Sequence, residues 1–249
     1  MVNQYNILIM LNDSYYNFGC IFLNSLYANV DLSKLNYIFV NNIGLSESNK
    51  IILQSKYDKI RFIETNISIS TNAVHSKEWL CALTMKTKTL YSLLQSIDNL
   101  PIVLMDTDML VLRDFTDLLN DNYDIQVCKR EKPSIRNDLP IKQMKYIACF
   151  VAFYRYSEVI DQFICDWMKE IHRMQAANMT PAYETPSMCA MMELYKTRIH
   201  FGDILQQHVA SENNNASSRV LHFRSHCPES FKQRINRIIP LEQIERFMI

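Results

Sequence analysis

Only three glycines, Gly19, Gly44 and Gly202, occur in the 249 residues, and no two are near each other. A glycine-rich loop that lifts backbone amides up to a phosphate cannot be built from them, which excludes both the dinucleotide fingerprint and the P-loop. Charge of one sign is lacking too. Twenty-six Lys plus Arg balance 26 Asp plus Glu, so no global basic field exists to hold a nucleic-acid backbone. Nucleic acid is not an expected partner, and any anion must be bound locally. The seven cysteines stand singly without a CxxC pair, and read as reduced core thiols of a cytosolic protein. Residues 1–5 show neither the basic start nor the small-residue cleavage site of a secretory signal. The longest uncharged apolar stretch, residues 146–154, is about half of what a membrane-crossing helix needs. A cytoplasmic location without a membrane span is the expectation.

With 48% hydrophobic residues, the chain has enough apolar content for one large α/β domain. Residues 5–11 form an almost fully apolar run ending in Asn12-Asp13-Ser14, as expected of a strand buried on both faces followed by a helix start. Phe18, Ile21, Phe22, Ser25 and Leu26 recur at helical spacing, and 35–40 resumes as a β-rich run. Residues 46–57 read as a helix opened by a capping Ser46, 60–63 as a strand, and 79–97 as a long helix with Leu80, Leu83, Leu90, Leu93, Leu94 and Ile97 on one side. Strands are expected at 102–105, 123–128, 146–154 and 220–223, helices from Ser157 and over 184–195, and a polar loop over 129–145. Trp79, Trp167, Met188, Met191 and Met192 read as core. The alternation predicts a mainly parallel central sheet flanked by helices, with ligands beyond the carboxyl ends of its strands.

The chemistry concentrates at Met105-Asp106-Thr107-Asp108-Met109, where two carboxylates one residue apart close a buried strand. Strand periodicity puts both on one side. Like charges that close beside apolar residues are costly unless a cation neutralises them, and paired oxygen ligands suit a hard divalent ion. Chance alone supplies roughly one Asp-x-Asp in a chain of this acidity, so the buried strand before it carries the weight.

In order and spacing these features resemble glycosyltransferase family 8 and its GT-A relatives, including the glycogenin-like enzymes. The run Ile7-Leu8-Ile9-Met10-Leu11-Asn12-Asp13-Ser14-Tyr15-Tyr16 is similar to the family's first strand and uridine-binding turn, 105–112 to its metal motif, and Val220-Leu221-His222-Phe223 to the late strand that completes the metal site. The resemblance covers nearly the whole chain and implies one GT-A domain over 1–249. Its first half, 1–125, would take the nucleotide sugar and metal, and 126–249 the acceptor side with the last metal ligand. It implies Asp106, Asp108 and His222 as ligands of Mn2+ or Mg2+, with nucleotide contacts from Leu11, Asn12, Asp13, Tyr16, Asp106 and Thr107. The donor would be a nucleoside diphosphate sugar, UDP-linked, and the acceptor a hydroxyl of a glycan or glycoprotein, with retention of configuration. Lys88 stands where the family carries a donor-binding lysine, with a solvated helix charge as the equal alternative. Glu184 matches an acidic residue placed against the reacting sugar; a carboxylate at a helix start is also stabilised by the helix dipole alone. Arg224, or else His226, takes the place of a diphosphate-binding cation. Where the family reads Phe-Asn-Ser-Gly, this chain has Ala148-Cys149-Phe150, so sugar identity does not transfer.

Two other functions are open to such a chain. A sugar-phosphate nucleotidyltransferase would show a Gly-rich, basic first turn, where this chain has Asn12-Asp13-Ser14-Tyr15-Tyr16. A non-catalytic carbohydrate-binding relative would not need the intact Asp106, Asp108 and His222. The polar segment 206–219 is expected to be a mobile lid over the donor.

Overall fold

The computed structural model describes residues 2–66, 69, 77–96, 100–137, 139, 141–179, 184–210, 215–223 and 247. Strand β1 (Tyr5–Leu11) is buried on both faces, with Ile7 and Ile9 in one core and Leu8 in the other. Asn12 then turns the chain: its side chain accepts the Tyr15 amide, and α1 (Tyr16–Asn29) follows. β2 (Leu35–Asn42), α2 (Glu47–Lys56), β3 (Ile60–Glu64), α3 (Lys77–Ser96) and β4 (Ile102–Met105) continue the alternation. Ser46 precedes α2 without a side-chain cap bond; its amide instead donates to Asp13 Oδ1 at 2.8 Å. Beyond β4 come β5 (Met109–Val111), β6 (Ile125–Ile135), β7 (Gln143–Phe153), α4 (Glu158–Ala176), α5 (Glu184–Tyr195), β8 (Phe201–Leu205), α6 (Gln206–Val209) and β9 (Val220–His222). Ser157 caps α4 by accepting the Ile160 amide.

Seven strands form one sheet in the order β3-β2-β1-β4-β7-β6-β8. β3, β2, β1 and β4 are mutually parallel, as is β6 to β8, whereas β7 runs against both β4 and β6. The sheet is therefore mixed at its centre. Residues of α1 and α2 pack in the core on one face, and those of α3, α4 and α5 in the core on the other. Trp167, Met188, Met191 and Met192 are buried there as expected, and the side chain of Trp79 lies outside the described residues.

Two local expectations are corrected. The polar loop at 129–145 is instead the outer part of a hairpin, with Lys129 opposite Tyr146 and Ser134 opposite Met144. On the β6 arm both faces reach solvent over residues 131–135, so strand geometry there comes from the ladder and not from burial. β8 was not anticipated; its Gly202 lets the Tyr123 ring lie where a Cβ would come within 2.5 Å of it. The segment 206–219 is anchored at both ends. Val209 and Ala210 are fully buried, and the Arg219 amide donates to His208 O at 2.8 Å. None of its described residues lines the main cavity.

Candidate active site

The last turn of β4 and a small second sheet build the centre of the site. β5 pairs antiparallel with β9, placing Met109 opposite His222, and the Phe223 amide donates to Asp108 O at 3.1 Å. Ser25 on α1 holds β5 from behind, accepting the Val111 amide at 3.0 Å. His222 Nε2 therefore stands 3.4 Å from Asp106 Oδ2 and 3.3 Å from Asp108 Oδ1. One ligand atom from each of these residues lies within 4.8 Å of the others. Adjacent ligands around a cation with bonds of roughly 2.1 Å are about 3 Å apart, so two carboxylate oxygens and one imidazole fit a divalent ion with little movement. Burial favours a neutral His222 ring, but Cys149 and Asp108 outweigh it and hold the pKa well above the usual imidazole value. A cation entering there would displace that proton.

The second oxygen of Asp106 belongs to another group. Lys86, on α3 with a side chain 1% exposed, places Nζ 2.7 Å from Asp106 Oδ1 and 3.1 Å from Glu184 Oε1 at the start of α5. Burial disfavours the ammonium, yet Asp106 and Glu184 raise its pKa, so Lys86 stays charged. α5 is held in place by its own first turn: Trp167 Nε1 donates to Ser187 Oγ at 3.0 Å, Ser187 Oγ donates to Glu184 O, and Thr185 Oγ1 accepts the Ala148 amide at 3.1 Å. These groups share one cavity of about 340 Å³, whose apolar wall includes Leu11, Ile69, Leu83, Met105 and Ile147.

No protein-family model matches the chain, and no curated protein matches it by sequence. Solved structures do match. The bifunctional glycosyltransferase WbbM, in its apo form, superposes with a TM-score of 0.59 over 99% of this chain at 14% identity. This chain spans 52% of that one. An active-site mutant of LgtC gives 0.57, and the galactosyltransferase LgtC with donor and acceptor sugar analogues gives 0.54. Both are 14% identical, with 97% of this chain and 99% of LgtC covered. The fold is that of these glycosyltransferases.

Within this GT-A fold the expected site residues divide into two groups. Leu11, Asn12, Asp106, Thr107, Asp108, Glu184 and His222 all line the one cavity. Asn12 has its side chain committed: Oδ1 accepts from Tyr15 and Ser14, and Nδ2 donates to Ile69 O at 2.9 Å. It shapes the wall. Asp13 is exposed, outside the cavity lining, and accepts from Ser46 and Asn49. Tyr16 packs against the core, and its neighbour Tyr15 lines the cavity instead. Lys88 is exposed on α3 and also outside the lining. The cavity lysine is Lys86, two residues earlier, which the sequence analysis did not single out. A signal was there: 86 lies three residues after Leu83 and four before Leu90, on the apolar face of the helix. Arg130 and Thr185 were also missed and line the cavity. Arg224 and His226 lie outside the described residues.

Burial raises the Glu184 carboxyl from 4.5 to about 7, with Lys86 opposing and Asp106 adding to the rise. An acid whose folded pKa is raised contributes stability below its unfolded pKa and loses it as pH climbs through the folded value. Melting of the metal-free protein in EDTA should show this between pH 4.5 and about 7. Across that window wild type is expected to lose a few degrees relative to Glu184→Gln. A constant gap between the two melting curves would place the titration elsewhere.

Proposed function

We propose that this chain is a metal-dependent glycosyltransferase, transferring a sugar from a UDP-sugar to a hydroxyl of a glycan or glycoprotein. The observation that carries the reading is the Asp106, Asp108 and His222 cluster at the carboxyl end of β4, opening into a single cavity within a GT-A fold. Uridine follows from the resemblance of residues 7–16 to the family's uridine-binding turn, and retention from the same likeness.

Asp106 Oδ2, Asp108 Oδ1 and His222 Nε2 would hold Mn2+, for which an imidazole ligand is more suitable than for Mg2+. A bound divalent cation supplies charge stabilisation for the departing nucleoside diphosphate. Lys86 fixes Asp106 through its other oxygen and at the same time orients Glu184. Glu184, as a carboxylate, would face the positive charge that develops at the anomeric carbon. Leu83, Ile147 and Ile69 keep part of the cavity apolar, which limits water and hence donor hydrolysis.

A thermal-shift screen of UDP-, GDP- and dTDP-sugars, each with Mn2+, Mg2+ or EDTA, tests the proposal. UDP-sugars with Mn2+ are expected to raise the melting temperature by several degrees, and EDTA to abolish the rise. No stabilisation by any nucleotide sugar in the presence of Mn2+ would refute the reading.

A further inference from the structure

The charge balance of the whole chain conceals a local excess. Residues 129–145, the outer part of the hairpin of β6 and β7, hold six Lys or Arg against two acids, whereas the chain is formally neutral. Lys129 is engaged by Asp203 of β8, and Arg130 lines the cavity. Lys132, Lys142 and Lys145 are exposed around the outer end of the ladder. The Arg136 amide donates to Lys142 O at 2.9 Å, which closes the arm at its tip.

An apolar side chain stands among these cations. Ile135 is 67% exposed, the highest value for a large apolar residue among those described. Apolar cover exists close by and is not used. Ser134 lies opposite Met144, which is buried with Leu139 and Cys189 in a small cluster that pins the returning arm to α5. Ile135 lies opposite Gln143, and alternation puts it on the other side of the ladder from that cluster, the side it shares with Lys145. Ladder and cluster hold the arm, so the exposed Ile135 is a fixed feature of this surface.

We propose that the tip of this hairpin docks on an anionic phospholipid surface, with Lys132, Lys142 and Lys145 at the headgroups and Ile135 inserted between them. A soluble polyanion uses only the cations. A bilayer uses both, because anionic headgroups attract lysines while an apolar side chain enters the boundary between headgroups and acyl chains. Arg130, in the cavity wall, precedes Ile135 by five residues, at most about 17 Å of strand. Docking therefore brings the cavity close to the lipid, and a lipid-linked hydroxyl within its reach. Only that last consequence rests on the glycosyl-transfer reading above.

Co-sedimentation of the full chain with vesicles tests the proposal, comparing pure phosphatidylcholine with phosphatidylcholine containing about 30% phosphatidylglycerol. At about 0.1 M salt, wild type is expected to bind the anionic vesicles about 10-fold better than the neutral ones. Lys132→Glu/Lys142→Glu should lose that advantage, and Ile135→Ser should bind about 5-fold more weakly. All three positions are exposed, so melting temperatures should stay within about 2 °C of wild type. Binding to no vesicle, equal binding to neutral and anionic vesicles, or unchanged binding in the double variant overturns the proposal. Full vesicle binding by Ile135→Ser overturns it equally, and retention on heparin that depends on Lys132 and Lys142 would then assign the arm to a soluble polyanion. None of these results bears on the thermal shift by UDP-sugars and Mn2+, which decides the glycosyl-transfer reading separately.

Discussion

Asp108→Asn is expected to lower Mn2+-dependent UDP binding by about 100-fold or more while leaving the fold intact. Asn keeps one oxygen acceptor but removes the negative charge that a divalent cation requires. The loss should be specific, because the side chain of Asp108 is 13% exposed and turned toward His222, whereas the anchoring of this segment runs through backbone. Asp108 O accepts the Phe223 amide, and β5 pairs with β9. In the metal-free protein the same replacement removes one of the groups that hold the His222 ring charged, so its melting temperature should fall slightly, by no more than a few degrees. Isothermal titration of UDP with and without Mn2+ measures the first effect and EDTA melts the second. Equal Mn2+-dependent affinity in variant and parent would mean that Asp108 is not a ligand.

Lys86→Met is the second large effect, and Lys88→Met is its control. Met fills much the same volume as the lysine stem, so what is removed is chiefly the ammonium that holds Asp106 and Glu184. Breaking a buried ion pair from one side typically costs about 3–5 kcal/mol, because the remaining charge is left without compensation in a poorly solvated place. Asp106 is 30% exposed and Glu184 12%, so Glu184 carries most of that cost and takes up a proton to reduce it. Transfer to an acceptor should fall by about 100-fold or more, since neither carboxylate keeps its orientation. Lys88 is exposed on the same helix, and its replacement should change stability by less than about 0.5 kcal/mol and leave turnover unaltered. Urea denaturation and initial-rate measurements on both variants decide it. A larger effect at 88 than at 86 would restore the family-based expectation.

The contrast between these two lysines shows how far sequence reasoning reaches. A helix wheel assigns 86 to the apolar side of α3 and 88 to the polar side, but a lysine on an apolar face is usually a long stem reaching for solvent. Only the approach of Asp106 from β4 and Glu184 from α5 turns residue 86 into a buried, charged clamp. Arg130 was illegible for another reason. The hairpin arm that carries it has no hydrophobic alternation, and its strand geometry is imposed by β7. In the segment 206–219 composition averaged over the whole stretch hides the buried anchors, Val209 and Ala210 near one end and Ser218 near the other.

What residue order determined by itself is local: apolar runs of strand length, helical faces of three-and-four spacing, and two carboxylates at a strand end. Those patterns depend on neighbours a few positions apart, and they sufficed for an α/β sheet with its acidic pair at a carboxyl edge. The tertiary structure alone decided which distant groups meet that pair. His222 reaches Asp108 across more than a hundred residues through the β5 and β9 ladder. Glu184 reaches Asp106 only through Lys86, once α5 is pinned to β7 by Thr185. Such meetings follow from sheet order and register, which arise from packing two cores on opposite faces at once, and no short-range pattern encodes that.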